Sequence, residues 1–147
     1  LRNGLRPVLC VGETQFEREE GATKHVLSDQ VVSGLLNVDS DQISEVIVAY
    51  EPVWAIGNGN TAEAVDIEQA MSLIRAQIGH MFGKKAATSV PILYGGSVKL
   101  NNAKAIMSID NVDGLLVGGA SLVAPEFAGM VSIANECARE ERADKKD

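Results

Sequence analysis

The sequence predicts an α/β fold built from four strand–helix units on one parallel sheet. Three features carry that prediction. Four short apolar runs recur without clean alternation and are rich in β-branched residues, as in strands buried on both faces. Stretches with apolar residues at helical spacing separate the runs. Glycine or a carboxylate closes each run, in Gly12-Glu13, Glu51-Pro52, Gly95-Gly96 and Gly118-Gly119. A β-α order repeated four times implies parallel strands joined by right-handed crossovers.

The first run is Pro7-Val8-Leu9-Cys10-Val11, and the helix after it carries Leu27, Val31 and Leu35 on one stripe, with Val32 and Leu36 beside them. The second run, Val46-Ile47-Val48-Ala49-Tyr50, leads to a longer helix marked by Ala64, Ile67, Met71, Ile74 and Ile78. Thr61 suits its N-cap, and Glu63 and Asp66 favour the positive end of its dipole. Pro91-Ile92-Leu93-Tyr94 is the third strand, followed after Asn101-Asn102 by a short helix using Ala103, Ile106 and Met107. The fourth strand is Leu115-Leu116-Val117. The last helix starts near Pro125, which suits a first helical position, and continues through Phe127, Met130, Val131, Ala134 and Cys137. Residues 1–138 form the folded unit, and 139–147 a charged, solvated tail.

Two architectures fit this order: an open doubly wound sheet, or a section of an eight-stranded barrel. An open sheet that binds nucleotides would carry a glycine fingerprint after a strand. Gly57-Asn58-Gly59 has its first two glycines, but position 62 is alanine and the loop opens Pro-Val-Trp. An internal repeat favours the barrel. Ile92-Leu93-Tyr94-Gly95-Gly96-Ser97 resembles Leu115-Leu116-Val117-Gly118-Gly119-Ala120-Ser121 one unit later. Consecutive strands that each end in Gly-Gly present bare backbone N–H groups at one end of the sheet. The last two strand-to-helix turns of barrels build phosphate sites in this way.

Composition narrows the class of function. A chain of 147 residues that is 46% hydrophobic can bury a real core. The net charge of −7 opposes nonspecific attraction to nucleic acid or to an anionic membrane. An anionic ligand must therefore be held by local groups. Cys10 and Cys137 stand in no metal-ligand spacing and read as free thiols of a reducing cytosol, so a cytoplasmic location is expected. No apolar stretch approaches the roughly 18 residues of a membrane span.

The segments PVLCVGE (7–13), AYEPVWAIGNG (49–59), ILYGGSV (92–98) and DGLLVGGASL (113–122) resemble the triosephosphate isomerase family, collinearly to about residue 138. The resemblance implies a (βα)4 half of a TIM (β/α)8 barrel, matching strands 5–8. It implies an isomerase of glycolysis and gluconeogenesis that interconverts dihydroxyacetone phosphate and D-glyceraldehyde 3-phosphate through an enediolate, without cofactor or metal. Glu51, at the end of a buried strand among Tyr50, Pro52, Val53 and Trp54, is suited to be the catalytic base. The loop after it, Pro52, Val53, Trp54, Ala55, Ile56, Gly57, Asn58, Gly59 and Asn60, has a stiff start, an apolar tip and glycine freedom at its far end, as a lid requires. Asn58 and Asn60 stand where the family often has threonine and lysine, so the lid's opening rate is open. By resemblance, Gly57, Ser97, Gly118 and Gly119 bind the substrate phosphate, Leu116 walls the pocket and Tyr94 latches the closed lid. Also by resemblance, Arg75 and Asp113 form a structural ion pair, and Cys10 and Glu13 lie beneath the site.

The family's first half supplies a lysine and a histidine that act as electrophiles. His25 and His80 fall in helical stretches and Lys99 follows Ser97, so none takes those roles. The chain starts Leu1-Arg2-Asn3 and is expected to be part of a protein of about 250 residues. The isolated chain is expected to be inactive. Four units also leave two sheet edges that invite pairing; a homodimer is expected of the full barrel, or self-association of the half-barrel. The competing function is a non-catalytic half-barrel that binds phosphorylated ligands or a partner half-barrel.

Overall fold

The computed structural model describes residues 1–57 and 60–144. The expected lid positions Asn58 and Gly59, and 145–147 of the expected tail, lie outside the described residues. Four strands, β1 (Val8–Val11), β2 (Ile47–Tyr50), β3 (Ile92–Gly95) and β4 (Gly114–Leu116), form one sheet in the order β1-β2-β3-β4. All three pairings are parallel. A doubly wound sheet reverses its strand order partway, whereas this one advances by one neighbour at each crossover. The open alternative is thereby excluded.

Among the described residues six α-helices connect and flank the strands: α1 (Gln15–Glu19), α2 (Thr23–Leu35), α3 (Ala64–Phe82), α4 (Lys84–Ser89), α5 (Leu100–Met107) and α6 (Ala124–Asp144). Short 3-10 turns cover Ile43–Glu45, Val53–Ala55 and Gly119–Leu122. The expected stripes supply the core. Leu27, Val31 and Leu35 of α2, and Ile67, Met71, Ile74 and Ile78 of α3, are buried together with Val11, Val48, Tyr50, Ile92 and Tyr94 of the sheet. Ala103, Ile106 and Met107 of α5 join them. Leu9 reaches α2 at Gly34, where a Cβ would meet both Leu9 methyl groups.

Several expectations need correction. Thr61 is not the N-cap of α3; Glu63 is, without a side-chain bond. Ala62 is buried beside Tyr94, which keeps the chain extended for two more residues. Ala64 is consequently exposed. Leu36 is 69% exposed, because α2 ends at Leu35 and the chain turns away. Phe127 and Val131 also face solvent, since α6 packs through Met130 and Cys137. The helix continues to Asp144, through residues whose charge suggested a tail. Only β2 and β3 are buried on both faces; Val8 and Cys10 of β1 are exposed and β4 is half-buried throughout. Those outer strands have a strand neighbour on one side only among the described residues.

An ion pair pins the N-terminal end of the sheet. Arg75 Nη2 donates to Asp113 Oδ2 at 2.6 Å and to the Asn111 carbonyl at 3.1 Å, while Nη1 donates to the carbonyls of Ala87 (2.7 Å) and Val90 (3.2 Å). Asp113 Oδ2 also accepts from the Ile92 amide at 2.7 Å. One guanidinium thus ties α3 to the end of α4 and to the entrances of β3 and β4. The fork geometry of arginine is what reaches four acceptors. The C-terminal end of the sheet is left for chemistry.

Candidate active site

Strand register decides what meets at that C-terminal end. Val11 pairs with Tyr50, Tyr50 with Tyr94, and Gly95 with Leu116. One residue beyond the Tyr50 level, the same row reads Gly12, Glu51, Gly95, Leu116. The Glu51 amide donates to the Val11 carbonyl at 2.7 Å, which carries the parallel pairing up to Glu51 itself. Side chains alternate across a strand, so Tyr50 and Tyr94 point to the helices while Glu51 points to the helix-free face, as Cys10 does.

The glycines in this row leave room for the carboxylate. A Cβ on Gly95 would stand 2.7 Å from Cγ, 3.2 Å from Cδ and 3.3 Å from Oε2 of Glu51. The Glu51 side chain therefore lies across bare backbone, toward the β3–β4 side. At Gly12 a Cβ would overlap the Glu51 carbonyl, so the two chains approach as closely as backbone allows. Gln30 of α2 fixes that approach, accepting from the Gly12 amide at 2.7 Å and donating to its carbonyl at 3.1 Å. Cys10 adjoins Glu51 from the row below. Its thiol is pushed up to about 11, first by desolvation, then by its hydrogen bond to Glu51 and by that carboxylate's charge.

Beneath the loop, Glu13 is the one buried charged residue among the described residues. Its oxygens accept from Tyr50 Oη at 3.1 and 3.2 Å and from Trp54 Nε1 at 2.9 Å, and its carbonyl accepts from the Val53 amide at 3.0 Å. Burial, followed by the Glu13 charge and hydrogen bond, pushes the Tyr50 phenol well above its ordinary range. The 3-10 turn Val53–Ala55 is thus seated on Glu13. Ala55 is buried, but Val53 and Ile56 are 51% and 45% exposed. Gly57 follows with a left-handed φ of 72°, which glycine adopts without steric cost.

The two Gly-Gly turns sit on the neighbouring strands at the same end. Ser97 accepts through its carbonyl from Asn102 Nδ2 at 2.8 Å, and Ser121 Oγ donates to the Gly118 carbonyl at 2.7 Å. These bonds hold the carbonyls. The N–H groups of Ser97, Gly118 and Gly119 make no hydrogen bond among the described residues. Leu116 is half-buried on the same row as Glu51. Tyr94 is fully buried, and its hydroxyl has no hydrogen-bond partner among the described residues. Burial raises its pKa, and the backbone N–H of Ala62, just past the loop, acts in the opposite sense.

His25 and His80 lie exposed on α2 and α3, His25 beside Asp29 at 3.3 Å. Neither approaches this row. A cavity of about 650 Å³ opens at the other end of the sheet, lined by Arg75, Asp110, Asn111 and Asp113 among others, and includes none of the residues above. Sequence reasoning missed Gln30 and the anchoring part of Glu13. Glu13 had a signal, since it follows a strand-ending glycine; Gln30 had none.

The sequence model described as Triosephosphate isomerase matches residues 1–134. The triosephosphate isomerase of Clostridium tetani (strain Massachusetts / E88) is 45% identical over 132 residues, which are 90% of this chain and 52% of that protein. The triosephosphate isomerases of Chlamydia abortus (strain DSM 27085 / S26/3) and Moorella thermoacetica (strain ATCC 39073 / JCM 9320) are each 49% identical over 131 residues. Those matches cover 89% of this chain and 51% and 52% of the two relatives. The chain spans about half the length of the curated relatives it matches.

Proposed function

The chain belongs to the triosephosphate isomerase family, and from that premise we propose that it supplies the base, lid and phosphate cradle of an enzyme interconverting dihydroxyacetone phosphate and D-glyceraldehyde 3-phosphate. The family fold is a (β/α)8 barrel, of which this sheet makes four strands. Glu51 removes a proton from the carbon beside the substrate carbonyl, leaving an enediolate, and returns it to the neighbouring carbon, while the hydroxyl proton passes from one oxygen to the other. No atoms are lost or gained, so the reaction is an internal redox exchange.

The N–H groups of Ser97, Gly118 and Gly119 take the phosphate, joined by Gly57 when the lid closes. Bare backbone amides suit a chain of net negative charge, because they attract an anion without adding a cation. Leu116 limits the pocket opposite Glu51. Closing residues 52–60 over the site would expel water and protect the enediolate. Tyr94 Oη, which faces the backbone N–H of Ala62, would latch the closed lid. The electrophilic lysine and histidine that the family uses come from the other half of the barrel. That half would also cover the outer edges of β1 and β4; complete barrels form homodimers, and the half-barrel alone self-associates. The substrate is a small phosphorylated triose and the location the cytoplasm. Among the described residues no helix is long and apolar enough to cross a membrane.

The observation that carries this reading is the row Gly12, Glu51, Gly95, Leu116, with the carboxylate lying against Gly95, two residues before Ser97. It is tested by following isomerisation with the chain alone and with a family first half added. Activity is expected only in the mixture, and Glu51→Asp in that mixture should lower turnover by at least tenfold with phosphate affinity little changed. Equal losses in both would count against the base.

A further inference from the structure

Three groups from separate parts of the chain converge on the lid tryptophan. Trp54 donates through Nε1 to Glu13, as described above. The Arg18 guanidinium lies over the indole face, its Cζ 4.3 Å from the ring centroid. The same guanidinium donates through Nη2 to Asp66 Oδ2 at 2.8 Å. Arg18 belongs to α1, just before the chain leaves the β1 end; Asp66 sits in the first turn of α3, just after the lid. The pair therefore spans the two ends between which the lid is strung.

The local sequence explains how Arg18 is held there. Helix α1 buries no residue and Phe16 is 71% exposed, so packing does not account for its formation. It is made by a capping box, in which Thr14 Oγ1 accepts from the Glu17 amide at 3.3 Å and Glu17 Oε2 accepts from the Thr14 amide at 2.7 Å. The Thr14 amide, and then the Thr14 hydroxyl donating to Oε2 at 2.8 Å, hold the Glu17 carboxyl below its usual pKa. What this short helix delivers is Arg18. The Arg18 and Asp66 side chains are only 34% and 19% exposed, so water screens the pair less than a surface bridge.

Val53 and Ile56 at the lid tip are about half-exposed. Any movement of the 3-10 turn off this seat must carry Trp54 with it. Both side-chain partners of the indole described above, Glu13 and Arg18, belong to the frame and stay behind. We propose that Arg18 is a positioning residue for the lid: clamped to Asp66 and stacked on Trp54, it stabilises the seated lid and so sets how often the lid leaves. This rests on reading residues 52–60 as the lid. Lysine could pair with Asp66 but lacks the planar face that stacks on an indole.

Trp54 is the only tryptophan in the 147 residues, so its emission reports this seat directly. The test measures emission maximum and acrylamide quenching of the 147-residue chain, without substrate, for wild type, Arg18→Gln, Arg18→Lys and Asp66→Asn. Far-UV circular dichroism at the same temperature checks the fold. The unseated fraction should rise roughly two- to fivefold in Arg18→Gln, on the scale of a partly exposed cation–π contact. Quenching should rise with it and emission move to the red, with Arg18→Lys and Asp66→Asn between the extremes. In wild type 1 M sodium chloride should increase quenching by weakening the Asp66 pair, and in Arg18→Gln it should have no such effect. Emission and quenching in folded Arg18→Gln that match wild type would overturn the proposal. Should that variant not fold, Asp66→Asn decides, and unchanged quenching there overturns it equally. Because this readout involves no turnover, an inactive mixture with an Arg18-dependent emission would sink the isomerase reading and leave the clamp standing.

Discussion

Replacing Arg75 with methionine should cost about 3 kcal/mol of stability. Methionine keeps much of the aliphatic stem but removes all four hydrogen bonds of the guanidinium. The carbonyls of Ala87, Val90 and Asn111 lose their charged donor, and Asp113 keeps only the Ile92 amide. A buried acceptor left alone costs about 1–3 kcal/mol. Two features reduce that figure here. The adjoining cavity of about 650 Å³ gives water access to some of these carbonyls, and Asp113 is 44% exposed, so its ion pair is screened. A net loss near 1 kcal/mol for each of the three carbonyls, with little from the pair, gives the stated total. Urea unfolding with a slope of about 2 kcal/mol per molar should then shift its midpoint by roughly 1.5 M. Arg75→Lys should recover less than half, because one ammonium cannot reach the acceptors at the end of α4 and before β4 together. A shift below about 0.3 M, or full recovery with lysine, would show that water replaces the fork and would refute the reasoning.

Gly95→Ala tests the seat of the base. Its new Cβ would force Glu51 out of position from Cγ outward. Displacements near 1 Å cost about a hundredfold in rate, so kcat of the completed barrel should fall by that order while urea stability changes by less than about 1.5 kcal/mol. Activity within twofold of wild type would mean that the carboxylate does not work from above Gly95. Cys10 gives a pH test. With its thiol raised to about 11, alkylation by iodoacetamide should keep accelerating well above pH 9, and Glu51→Gln should lower the apparent pKa part of the way, leaving the effect of burial. The linkage sign follows: a raised pKa favours the neutral thiol in the fold, so this contribution to stability is intact below pH 9 and lost as pH rises toward 11. A rate plateau near pH 9 in wild type would contradict the assigned contact.

Much of this architecture could be read in the sequence because its signals are local. The stripes of Leu27, Val31 and Leu35 and of Ile67, Met71, Ile74 and Ile78 repeat at the helical period, and those residues are all buried. Strand ends were visible because glycine and glutamate interrupt apolar runs where backbone must turn or approach closely. Thr14-Gln15-Phe16-Glu17 also carried a readable capping box, but α1 has no apolar stripe to draw attention to it. Contacts set by tertiary packing were not legible. Gln30 reaches Gly12 across 18 residues, and Arg18 reaches Asp66 across 48, with no periodicity to announce either. The start of α3 was misplaced for the same reason: Thr61 has good capping chemistry, but burial of Ala62 keeps the chain extended past it.

The most direct measurement is a titration of the isotopically labelled chain with glycerol 3-phosphate, followed through its backbone amide resonances. The account predicts that Ser97, Gly118 and Gly119 shift together, saturably, with Gly95 following as Glu51 responds to the neighbouring anion. Shifts confined to the Arg75 and Lys84 region, or no saturable change at the three amides, would contradict a phosphate cradle facing Glu51.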